Sequence, residues 1–126
     1  MSRTFVLASA LEPPAAAQAV EAAPVAPDLC VVSPSPSARE TAAVAVGGRW
    51  VFTVEEPLLA ARVPAESGDD VLARFAQALR GARARDAESL LIVCDRLDIL
   101  GANALLFDEA GLTRLADDLD RSLPLP

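Results

Sequence analysis

Apolar positions along this chain gather into four short runs, separated by stretches with helical spacing or by proline and glycine. Phe5-Val6-Leu7-Ala8 comes first, and Pro13-Pro14 ends it. Asp28-Leu29-Cys30-Val31-Val32 is the second. Trp50-Val51-Phe52-Thr53-Val54 is the third, rich in aromatic and β-branched residues. Ser89-Leu90-Leu91-Ile92-Val93-Cys94 is the fourth. Short continuous runs of this kind predict strands buried on both faces, as in a parallel sheet, and the fourth has the pattern of a central strand.

Helical patterns lie between the runs. Ala15 to Ala23 is almost all alanine, with Pro14 suited to a first helical turn and Pro24 to a stop. Ser37 with Glu40 has the spacing of a capping box, so a helix is expected from Ser37 to Val46, ended by Gly47-Gly48. Glu55 to Ala65, with Pro57 and Pro64, reads as a loop. Ser67 and Asp70 form another capping box. Val71, Leu72, Phe75, Ala78 and Leu79 recur behind it on one helix face, with Arg74, Arg80, Arg83 and Arg85 on the solvated side. Asp98 to Phe107 reads as helix, and Asp108 as the cap of a last helix carrying Leu112, Leu115 and Leu119. Strands alternating with helices predict one α/β domain over residues 1–126, three layers deep, with a mostly parallel central sheet.

Composition narrows the chemistry. Of 126 residues, 52% are hydrophobic, which supports a packed core rather than a disordered chain. The net charge of −7 argues against nucleic acid or an anionic membrane as partner. The chain holds no His, no Tyr and no Lys, and all eleven basic residues are Arg. Histidine acid–base and phosphohistidine chemistry, His metal sites, Schiff bases and a P-loop lysine are thereby excluded. No cofactor and no metal centre is expected. Cys30 and Cys94 each sit in an apolar run and read as buried free thiols of a reducing compartment. No signal-peptide pattern or membrane-length apolar stretch is apparent, so a cytoplasmic protein is expected, and the Ala/Arg bias suggests a bacterial one.

In open α/β sheets ligands bind beyond the carboxyl ends of the strands. Those ends carry Ser9-Ala10-Leu11-Glu12, Ser33-Pro34-Ser35-Pro36-Ser37 and Asp95-Arg96. Their order resembles the histidine phosphatase superfamily, in its phosphoglycerate-mutase-like branch. Ser33 to Ala42 aligns with the family pattern S-P-L-x-R-A-x-x-T-A. Glu66-Ser67-Gly68-Asp69-Asp70 through Arg74 aligns with G-E-S-x-x-D-x-x-x-R. Leu91 to Arg96 occupies the strand ending in V-S-H-G, Phe5 to Glu12 the strand ending in R-H-G-E, and Gln18-Ala19 the helix that carries Q-A. The resemblance covers residues 4–107 and implies a trimmed phosphoglycerate-mutase-like fold.

The same alignment implies that the catalytic groups are gone. The nucleophilic histidine falls on Ala10 and the arginine before it on Ser9. The phosphate-clamping arginine falls on Ser37, with Arg39 a neighbouring helix position. The second histidine falls on Asp95 and the glycine after it on Arg96. The acid–base glutamate falls on Ala60, in Leu58-Leu59-Ala60. An alanine has no lone pair with which to attack phosphorus, serines carry no charge, and a carboxylate repels a dianion. The expectation is a pseudoenzyme that binds, regulates or assembles, with Ser33, Ser35 and Arg39 as candidate ligand contacts. The alternative is a remodelled enzyme using Asp95 and the nearby serines on a non-phosphorylated small molecule. Asp95 with Asp98 as a magnesium site, Glu55-Glu56 as a carboxylate pair and Cys94 as an activated thiol are weaker readings; helix capping, a solvated loop and burial account for these residues.

A chain this short with so much apolar composition is expected to need a protein partner, most simply as a homodimer. The candidate surfaces are the Trp50–Val54 strand and the last helix with Leu112, Leu115 and Leu119. Filling of the core is the competing role for both.

Overall fold

The apolar runs do become strands, and their pairing sets the architecture. The computed structural model describes residues 3–61, 63–95 and 104–121. In chain order the elements are β1 (Thr4–Ser9), α1 (Pro13–Ala22), β2 (Leu29–Val32), α2 (Pro36–Ala45), β3 (Phe52–Glu55), a single 3-10 turn (Pro57–Leu59), α3 (Gly68–Arg83), β4 (Ser89–Cys94), β5 (Ala104–Asp108) and α4 (Glu109–Arg121). The five strands form one sheet in the order β3-β2-β4-β1-β5. The first four are parallel, and β5 runs antiparallel to β1, with Val6 opposite Leu106. The domain is therefore α/β with a mixed, mostly parallel sheet.

Period-two alternation divides the core. Phe5, Leu7, Leu90, Ile92 and Cys94 face α3 and α4, where they meet Val71, Phe75, Leu79, Leu112 and Leu119. Val6, Ala8, Leu91 and Val93 face α1 and α2, where they meet Ala16, Val20, Ala38, Ala42 and Ala45. Every residue of β1 and β4 is buried, as their runs predict. The alanine-rich helices place little side-chain volume on the sheet, so α1 and α2 can lie close to it.

Three expectations need correction. Residues 104–107, read as the end of a helix, belong to β5; Asp98 and the rest of that reading lie outside the described residues. Leu105-Leu106-Phe107 is a short apolar run that suits either element, and pairing along β1 decides for the strand. The α2 cap is Ser35 rather than Ser37: the Ser35 hydroxyl accepts from the Ala38 N–H at 3.1 Å and Pro36 occupies the first turn. The third strand begins at Phe52, and Trp50 before it is 85% exposed.

Other local readings match. Gly47 and Gly48 follow α2 with φ of +65° and +80°, a backbone that glycine adopts without strain. Ser67 and Asp70 make a reciprocal capping box at α3. Asp108 accepts from the Gly111 N–H at 2.7 Å at the start of α4. Leu112 and Leu119 are buried and Leu115 packs against the same core, so α4 has no free leucine face to offer a partner.

Candidate functional site

Because β2, β4 and β1 are neighbours and parallel, their carboxyl ends share one rim of the sheet. That rim brings Ser9, Ala10, Ser33, Ser35 and Asp95 onto adjacent strand ends. Arg96 lies outside the described residues.

Asp95 is the centre of the rim. One carboxylate oxygen accepts from the Ser35 hydroxyl at 2.5 Å and the other from the Ala61 N–H at 3.0 Å. The Asp95 N–H in turn donates to Leu59 O at 3.4 Å. Asp95 thus joins β4 to the α2 cap and to the segment after β3. Ser35, caught between Asp95 and Ala38, caps a helix and holds a carboxylate with one hydroxyl.

The other serines differ from it and from one another. Ser9 is buried, and its hydroxyl accepts from the Leu11 N–H at 3.1 Å in a local turn. Ser33 is fully buried, and its hydroxyl has no hydrogen-bond partner. A side chain with no exposed surface cannot meet a ligand without a rearrangement. Ser37 is exposed on α2. Together with Ala10, Pro13, Glu40, Thr41, Ala43 and Val44 it lines a shallow depression of about 410 Å³. Glu40 is the one charged residue of that lining, so the depression offers no cation to a phosphate. Thr41, at its base, is buried and donates to Ala10 O at 3.0 Å, fixing the end of β1 against α2.

Arg39 lies on a different side of α2. It pairs with Glu55 of β3 and lines, with Cys30, Arg49, Trp50 and Thr53, a second hollow of about 350 Å³ at the sheet edge. Burial pushes the Cys30 thiol from its ordinary 9.0 up to about 11, with partial relief from a Thr53 hydrogen bond and the Arg49 charge. That is the reverse of an activated nucleophile. Cys30 and Cys94 form no disulfide and face opposite sides of the sheet.

The largest departure from the sequence reading is Arg74, assigned above to a solvated face. Its side chain is only 17% exposed. The guanidinium forks onto Glu66, at 2.7 and 2.8 Å, and its remaining nitrogen donates to Leu58 O and Ala60 O, both at 2.8 Å. The two charged ends of the Glu66–Arg74 motif thus bind each other and anchor the loop that carries Ala60. Arg80 and Arg83 are exposed, as expected, and are engaged as well. Arg80 pairs with Asp117 and Asp120, and Arg83 donates to the Thr113 hydroxyl at 2.9 Å, joining α3 to α4.

Among the described residues no cluster of three or more His, Cys, Asp or Glu side chains could hold a metal ion, and no helix is long and apolar enough to cross a membrane. No protein-family model matches the chain, and neither a curated protein nor a solved structure matches it.

Proposed function

We propose that this chain is a catalytically inactive, histidine-phosphatase-like module that binds, regulates or assembles and does not turn over phosphoesters. The reading rests on the order of the resembling motifs along the chain and on the rim shared by β1, β2 and β4, whose ends carry three of them. The observation that carries it is Asp95. At the position that the resemblance gives to a histidine, both carboxylate oxygens accept hydrogen bonds from within the chain.

The chemistry at the rim supports the same reading. Ala10 offers no nucleophile. Ser9 and Ser37 supply no positive charge. The basic side chain nearest in sequence to Ser37, Arg39, is paired with Glu55 on another side of α2. A phosphoryl group at this rim would meet the Asp95 carboxylate, and removing even one donor to a developing oxyanion typically costs about 3–4 kcal/mol of transition-state stabilisation. Asp95 and Ser35 also hold Ala61 and the α2 cap, so the remodelled-enzyme alternative would have to use groups that the fold employs structurally.

The test is a panel of phosphoesters and phosphohistidine incubated with the purified chain, read as released phosphate, alongside thermal shift in inorganic phosphate. The expected result is release equal to a mock purification and no stabilisation by phosphate. Turnover that follows the protein through successive columns would overturn the proposal.

A further inference from the structure

We propose that the free edge of β3 pairs antiparallel with β3 of a second copy of this chain, about a two-fold axis through Phe52. The inference stands on the sheet edge alone and does not need the phosphatase-like reading.

Among the described residues β3 ends the sheet and has one neighbour, β2. The Glu56 N–H donates to Val32 O at 2.7 Å. Backbone alternation therefore turns Phe52 and Val54 toward β2, and sends the N–H and C=O groups of Val51, Thr53 and Glu55 outward. The outward Val51 carbonyl accepts from the Thr53 hydroxyl of its own chain at 3.1 Å. Native edges are usually blunted by lysine, proline or a bulge. The stretch from Arg49 to Glu55 contains no lysine or proline, and exposes Trp50 at 85% and Phe52 at 57%.

The occupant follows from self-complementarity. Side-chain alternation extends back beyond the strand: Trp50 stacks edge-on against Phe52, with ring centroids 6.1 Å apart, while Val51 packs toward α1 and α2. With Phe52 opposite its own copy, Trp50 meets Val54, Val51 meets Thr53 and Arg49 meets Glu55. One face then carries an unbroken apolar stripe, and at each end of the other Arg49 comes opposite a Glu55 that Arg39 of its own chain also pairs. Cross-strand pairs of both kinds are stabilising. The outward N–H and C=O groups of Val51 and Thr53 bond reciprocally, which makes Phe52–Phe52 a non-hydrogen-bonded pair. The other edge, β5, offers no such match: Ala104 to Asp108 includes an acid and no base. Two five-stranded sheets would become one continuous sheet.

The test is light scattering on a sizing column over a hundredfold dilution series, with three variants. Thr53→Pro removes an outward N–H and the hydroxyl that bonds Cys30, but no backbone bond to β2, so circular dichroism should show the native fold. Phe52→Cys places two thiols on the axis, where paired α-carbons stand about 4.5 Å apart, within disulfide reach. Trp50→Cys places them four residues out of register, on the order of 13 Å apart and beyond reach. The expected results are twice the 13.1 kDa chain mass at the concentrated end, decaying on dilution; a monomeric Thr53→Pro; and covalent dimer with oxidised glutathione for Phe52→Cys but not Trp50→Cys. A monomer at every concentration, a dimer that survives Thr53→Pro, or equal cross-linking of the two cysteine variants would overturn the proposal.

Discussion

The carboxyl rim of the sheet and the edge of β3 treat their polar groups in opposite ways. At the rim, where an α/β fold normally receives a ligand, most hydrogen-bonding groups are satisfied internally: Asp95 by Ser35 and Ala61, Ser9 by Leu11, and Thr41 by Ala10 O. At the edge, the backbone of Val51, Thr53 and Glu55 faces outward beside two exposed aromatic rings. A fold-level rule about where sites lie thus directs attention to a region whose hydrogen-bonding groups are mostly taken up within the chain. The accounting of donors and acceptors directs it to the edge.

Arg74→Ala should perturb the rim most. It would take the guanidinium away from Glu66, only 15% exposed on its side chain, and release the carbonyls of Leu58 and Ala60. Breaking one partner of a buried ion pair costs about 3–5 kcal/mol, and this pair is partly exposed, so the lower end is expected. Urea unfolding measures it, and a loss below about 1 kcal/mol would mean the loop does not depend on Arg74.

Asp95→Ala comes next. It frees the Ser35 hydroxyl and the Ala61 N–H together, and hydrogen bonds to charged groups are worth about 1.5–3 kcal/mol each. A loss of about 2 kcal/mol, with α2 fraying from its amino end in hydrogen exchange, is the expected outcome. An unchanged or raised stability would show Asp95 to be a retained functional group held against the interest of the fold.

Alkaline titration probes the hollow beside β3. Below pH 9.0 the Cys30 thiol is protonated in both folded and unfolded chains. Between 9.0 and about 11 the unfolded chain releases its proton while the folded one keeps it. Stability should therefore fall as pH rises through that window, by on the order of 2 kcal/mol. With no lysine or tyrosine in the chain, the thiols are the only side chains that ordinarily titrate there. Cys30→Ala should flatten the slope; an equally steep fall in that variant would assign it elsewhere.

The sequence shows some of these features and hides others. Buried strands are legible because an uninterrupted apolar run admits little else, and the capping box at Ser67 because its partner lies three residues on. The Ser35 cap was legible too, since Pro36 favours a first helical turn and marks the serine before it; the Ser37–Glu40 spacing is the competing signal. β5 was not, because Leu105-Leu106-Phe107 takes its conformation from β1, a long-range partner. Arg74 looks solvated in a helical projection, since its acceptors lie on a loop outside the helix. The rim residues could be named in advance from strand order. Their engagement with one another could not, because Ser35 and Asp95 meet only through folding, sixty residues apart.

The smallest effect belongs to Ser33→Ala. The hydroxyl is buried without a partner, so its removal should leave stability unchanged or raise it by up to about 1 kcal/mol. A clear loss in urea unfolding would reveal a bond that the rim accounting lacks.

The contrast between rim and edge is tested most directly by residue-resolved amide exchange across a dilution series. The Ala61 N–H, bound to Asp95, should be protected at every concentration. The Val51 and Thr53 N–H groups should exchange freely in dilute solution and become protected as concentration rises. Free exchange at Ala61, with Val51 and Thr53 unresponsive to concentration, would contradict both halves of the account.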